Sequence, residues 1–145
     1  MIQRKQSLWL LIAALLNIGV LFLDLFRWHE PVNGVDTLQA IRAGNHFPTL
    51  LIVLVLVLLP VVNIFMFKTR KRQMNMVIFN ILAICGFVAL LLSRVSHTNK
   101  DIPASLSGSY WIGAVLPVAS LLFLILAIAG IRKDDKLVKS MDRLR

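Results

Sequence analysis

The chain has 145 residues, of which 58% are hydrophobic and only 16% charged, and its mean hydropathy is +0.79. Average soluble chains are about a quarter charged, and a soluble domain of this size has too little polar side chain to cover so much apolar bulk. The net charge of +9 would point to nucleic acid in a soluble protein, but here the cations are segregated along the chain in a way that reads as membrane topology. The single cysteine, Cys85, lies inside an apolar run and can form no intrachain disulfide.

The apolar residues come in runs about 20 residues long, the length at which a helix rising about 1.5 Å per residue crosses a bilayer. They predict an all-α fold: one integral membrane domain, a four-helix transmembrane bundle with a short basic amphipathic C-terminal helix. The first span is residues 7–26, preceded by Arg4 and Lys5. It is too long for a cleaved signal and no small-x-small site follows, so it reads as a signal anchor. Trp9 and Trp28 stand at its two ends, where interfacial aromatics belong. Residues 27–46 read as a polar loop with one short turn of helix, Asp36 as its N-cap and Gly44 as its stop.

The second span is residues 47–67. Pro48 fits its first turn, and Pro60 predicts a kink. The unbroken Leu, Ile and Val of residues 50–59 predict a lipid-facing or fully buried helix. Lys68, Thr69, Arg70, Lys71 and Arg72 then make a basic turn. The third span is residues 74–93, diluted by Asn75 and Asn80, and residues 94–109 form a second polar loop. The fourth span, residues 110–131, opens on Tyr110-Trp111 and is expected to bend at Pro117. Residues 132–145 are a polar, basic tail.

The charges sort by side. Twelve of the 16 Lys and Arg residues lie in the start (two), the basic turn (four) and the tail (six), leaving four in the two loops. Three acidic residues accompany the first group and four the second, so one face carries the whole net charge of +9 and the other none. Lys68, Arg70, Lys71 and Arg72 are therefore the topology-setting residues. The cation bias puts both termini and the basic turn in the cytoplasm of a bacterial cell, with the chain in its inner membrane.

Asn17, near the middle of the first span, and Ser120, near the middle of the fourth, lie at equal depth. A hydrogen bond between them would contribute about 0.6–2 kcal/mol. Asn63 and Asn80 each lie a few residues from the basic turn and so share a depth as well. All four read as interhelical polar contacts. The alternative is a polar path for a substrate, disfavoured because no ionisable residue lies in a span core and Asp24 sits at the outer end of the first span. Gly113, Ser120 and Ala127 recur every seven residues, and Cys85, Ala89 and Ser93 every four. Such stripes fit internal packing or a partner's docking face.

His29, His46 and His97 all fall on the outer side without metal-ligand spacing, so neither metal nor cofactor is expected. No nucleophile, phosphate loop or enclosed carboxylate pair suggests an enzyme.

In the tail, Leu137, Val138, Met141 and Leu144 share one helical face, and Asp135 precedes Lys139 by four residues, the favourable order. Gly130 offers a change of direction at the membrane surface. The segment fits a helix resting on anionic lipid or one docking a protein partner in the membrane or cytoplasm. Nucleic acid is not expected, because the tail has no aromatic residue to stack on a base.

The opening Met1-Ile2-Gln3-Arg4 with Gln6-Ser7 resembles an uncharacterised bacterial family, domain of unknown function 4293. So do Ile131-Arg132-Lys133-Asp134, Leu137-Val138-Lys139-Ser140 and Asp142-Arg143-Leu144-Arg145 at the other end. Lys5 stands where an apolar residue is usual, and Asp135 where Glu is. The resemblance covers the whole chain and implies a small inner-membrane protein with both ends in the cytoplasm. It implies no catalytic residues. The resulting expectation is a non-enzymatic accessory or scaffold protein that presents its basic tail. A small oligomeric transporter or channel is the alternative.

Overall fold

The computed structural model describes residues 3–32, 35–66, 69–101 and 108–142. Its helices are α1 (Gln3–Phe22), α2 (Phe47–Phe65), α3 (Arg70–Asp101) and α4 (Ile112–Asp142). They form the expected four-helix bundle, joined by a small antiparallel sheet and a short 3-10 turn, Ala43–Asn45. α2, α3 and α4 are long and apolar enough to cross a membrane, while the apolar part of α1, Gln6–Phe22, is shorter. α1 packs on α4 and α2, and α3 closes the ring against α2 and α4, its contact with α4 being the thinnest.

One spacing organises this packing. The recurring buried positions are Gln6, Leu10, Ala13, Asn17 and Val20 on α1, where Ala14 is buried as well, and Thr49, Val53, Leu56, Pro60 and Asn63 on α2. On α3 they are Gln73, Val77, Asn80, Ile84, Phe87, Leu91 and Val95, and on α4 Gly113, Pro117, Ser120, Leu124, Ala127, Ile131 and Asp134. Steps of four and three average 3.5 residues, which keeps one stripe of each helix against its neighbours. The faces between carry exposed apolar residues such as Leu15, Leu58, Phe79 and Leu122. Polar side chains thus lie on the buried stripe under an apolar coat, the reverse of a soluble bundle and the arrangement a bilayer favours.

The sheet replaces the expected loop with its turn of helix. β1 (Phe26–Val32) pairs with β2 (Val35–Ile41) in register from Phe26↔Ile41 to Val32↔Val35. β3 (Ser109–Tyr110) adds to the other edge of β1 at Phe26 and Arg27. Phe26, Trp28, Val32, Val35, Thr37 and Ile41 are strand formers. Asn33-Gly34, outside the described residues, is the dipeptide that tight hairpin turns favour. A single turn of helix starting at Asp36 has too few internal bonds to compete. Pro31 fits because β3 stops short of it and asks it for no N–H.

Helix boundaries also shift. The first span, expected at 7–26, ends as a helix at Phe22, so Asp24 lies beyond it and Phe26 belongs to β1. α3 starts at Arg70 and continues to Asp101, so Arg70, Lys71 and Arg72 form its first turn rather than a linker, and Lys68 lies outside the described residues. The basic C-terminal segment is helical, but as the last turns of α4, which does not change direction at Gly130. A methyl group on Gly130 would come within 2.8 Å of Gln6 Cγ, so this glycine serves the close approach of α1. Pro60 and Pro117 both lie within continuous helices and on the buried stripe.

Candidate functional site: the polar seam and the two ends of the bundle

The seam carries its amides in layers. Asn17 Nδ2 donates to the carbonyl of Leu56 on α2 at 3.1 Å. α1 and α4 run antiparallel: methyl groups on Gly19 and Gly130 would meet Leu116 and Gln6, which sets Asn17 opposite Ser120. Their depths match as expected, but they are not joined. The Ser120 hydroxyl donates instead to Pro117 O, one turn back in its own helix, at 2.7 Å.

Asn63 Nδ2 donates to Gln73 O at 3.1 Å and Gln73 Nε2 returns to Asn63 O at 3.4 Å, a reciprocal clasp between α2 and α3. That pairing sets the register of the two helices. It places Asn80, two turns on from Gln73, opposite Leu56 and in the Asn17 layer. The expected match in depth between Asn63 and Asn80 is therefore corrected, because Gln73 fills that place. Asn17 Oδ1 and both amide atoms of Asn80 are buried and have no hydrogen-bond partner among the described residues.

At the basic end, Arg70 Nη1 donates to Asp134 O at 2.7 Å and ties the first turn of α3 to α4. Lys71, Arg72, Arg132, Lys133 and Lys136 surround this contact and are exposed. Beyond Asp134, α4 continues for two more turns. Leu137 and Val138 are 42% and 36% exposed there. The Met141 side chain and Leu144, also expected on this face, lie outside the described residues.

The opposite end is locked by Asp24. Its carboxylate takes Arg27 Nη2 on Oδ2 at 2.5 Å and Arg42 Nε on Oδ1 at 2.5 Å, joining the end of α1 to β1 and to the exit of β2. The Arg42 guanidinium holds the Asp24 carboxyl below its ordinary value of 3.8; burial opposes this and Arg27 reinforces it. Backbone bonds from Leu25 N to Ile41 O, Trp111 N to Leu25 O and Gly113 N to Asp24 O continue the lattice into α4. Arg27 also lies over the Trp111 ring, 4.1 Å from its centroid. Asp24 is 2% exposed and is the hub of this end.

One family profile, described as domain of unknown function (DUF4293), matches residues 2–144. The chain belongs to that family. No curated protein and no solved structure matches it.

In this DUF4293 chain the two small-residue stripes separate. Gly113, Ser120 and Ala127 lie on the buried seam of α4, whereas Cys85, Ala89 and Ser93 are exposed on the outer face of α3. His46 Nδ1 lies 2.9 Å from Thr49 Oγ1 at the start of α2, and Arg94 Nη1 donates to the same hydroxyl at 3.3 Å.

Gln6, Gln73, Thr49 and Asp134 escaped the sequence reading as seam residues. The missed signal was the seven-residue recurrence of polar residues, Gln73 with Asn80 and Asn17 with Asp24. Twice that spacing links Thr49 with Asn63 and Ser120 with Asp134.

Proposed function

We propose that this chain is a four-span protein of the bacterial cytoplasmic membrane, with both ends in the cytoplasm. In this reading it acts as a non-enzymatic accessory or scaffold protein whose tail meets anionic lipid or a protein partner. α1 counts as the fourth span because it lies antiparallel along α4 from Gln6–Gly130 to Gly19–Leu116. The observation that carries the functional reading is the length of α4: one helix runs from the sheet end past the start of α3 and leaves Leu137 and Val138 exposed beyond the bundle. The amide NH2 groups of Asn63 and Gln73 each donate to a backbone carbonyl of the other's helix, which supports a packing role for seam polarity.

Two experiments test this. In a Cys85→Ser background, Arg72→Cys is expected to react with an impermeant thiol reagent only after the cells are opened; labelling of intact cells would reverse the orientation. Deleting residues 136–145 is expected to release crosslinked partners from native membranes while leaving insertion intact. Unchanged partners would argue against a presenting tail.

Asn17 Oδ1 and the Asn80 amide, buried without hydrogen-bond partners among the described residues, favour a second reading, a small oligomeric transporter or channel. Solute flux in proteoliposomes that disappears on Asn17→Leu would establish it.

A further inference from the structure

The α3–α4 contact is the thinnest in the ring, and at the basic end it opens into a cavity of about 550 Å³. Arg70 and Lys71 of α3 wall one side, Arg132 and Lys136 of α4 the other, with Met74 and Ile131 also in the lining and Asp135 the one carboxylate. The volume falls within the range of roughly 300–1,000 Å³ typical of small-ligand sites.

Two features bear on what fills it. Four cations face one carboxylate, and two of the cations sit at the N-terminus of α3, where the helix's own positive end disfavours them unless an anion is near. Met74 and Ile131 are apolar, and farther along each helix Ile78 and Ile125 are exposed. A small inorganic anion satisfies the charge and leaves the apolar lining unfilled. An amphiphile with an anionic head and hydrocarbon chains satisfies both.

We infer that this cavity binds the phosphodiester headgroup of an anionic phospholipid between the Arg70/Lys71 and Arg132/Lys136 walls, its acyl chains running along the α3–α4 seam. The inference rests on the proposed membrane-spanning reading and narrows its lipid contact from the tail at large to one site.

The test uses the full chain in nanodiscs of phosphatidylcholine doped with phosphatidylglycerol, with retained lipid counted by native mass spectrometry. The wild type is expected to keep phosphatidylglycerol selectively. Lys71→Gln with Arg132→Gln is expected to weaken that retention about 30-fold. Arg72→Gln with Lys133→Gln, which removes the same charge outside the cavity, is expected to leave it nearly unchanged. An equal loss in both double variants, or no selectivity in the wild type, would overturn the site. Displacement of the lipid by millimolar inorganic phosphate alone, or by an acidic peptide, would also overturn the assignment to lipid. Flotation with carbonate-washed vesicles separates the two levels: a chain that stays with the vesicles but shows no selectivity refutes this inference alone, and a chain that washes off refutes the membrane reading.

Discussion

Gly113 is where α4 comes closest to the end of α1, and replacing it tests how rigidly the sheet end is locked. A methyl group there would lie 2.5 Å from Asp24 O and 3.0 Å from Asp24 C, both backbone atoms. Ordinary contact begins near 3.4 Å, so the two chains must part by about 0.9 Å. The Gly113 N–H to Asp24 O bond, now 3.1 Å, would then stretch to about 4 Å and cease to be a hydrogen bond. Its loss costs about 1 kcal/mol. Overpacking adds about 1–3 kcal/mol, and the better helix propensity of alanine returns about 1 kcal/mol.

Gly113→Ala is therefore expected to destabilise the bundle by about 1–3 kcal/mol. Gly86→Ala is the matched control, because a methyl group there meets nothing within 4 Å. It is expected to be neutral or to stabilise by up to about 1 kcal/mol. Unfolding in mixed micelles by increasing the denaturing detergent, followed by tryptophan fluorescence and far-UV circular dichroism, measures both. If Gly113→Ala proves as stable as Gly86→Ala, the close approach of α4 to the Asp24 carbonyl is wrong.

The Asp24 hub carries a pH signature. Its carboxyl titrates below 3.8 when folded, so the stability it contributes is fully present above that value and lost as pH falls through the folded value. Asp24→Asn is expected to cost about 2 kcal/mol at pH 7, modest because the Arg42 side chain is 59% exposed. The gap to wild type should close below about pH 4, and a gap constant across acid unfolding curves would contradict the ion-pair account.

On the seam, Asn63→Ala removes the donor to Gln73 O and is expected to cost about 0.6–2 kcal/mol, read by the same micelle unfolding. Asn80→Leu relieves two unpartnered polar atoms and is expected to be neutral or stabilising unless the site holds water or substrate, in which case stability falls. Ser120→Ala forfeits only a bond within its own helix and should change stability by less than about 1 kcal/mol.

Much of the candidate site could be read along the chain. Asn17 and Ser120 were placed at one depth by counting residues from the ends of their runs, because a helix advances by a constant rise whatever it packs against. Who bonds whom was not legible in that count. Asn17 takes the Leu56 carbonyl and Ser120 the Pro117 carbonyl, backbone acceptors that the count of residues does not reveal. The hairpin was missed for a related reason. Asp36 and Gly44 carry genuine cap chemistry, but the pairing of Phe26 with Ile41 spans fifteen residues and wins only once α1 and α2 hold its two ends together.

Long apolar runs separated by clustered cations were enough, by themselves, to specify the four helices, because a helix satisfies its own backbone hydrogen bonds within each run independently of its neighbours. Tertiary structure alone decided that Asp24 bridges two arginines, that Gln73 rather than Asn80 faces Asn63, that Cys85 points outward, and that cations from α3 and α4 converge on one cavity. Those outcomes depend on how the helices turn about their axes when their 3.5-residue stripes meet, and that rotation is settled by close packing between segments far apart in sequence.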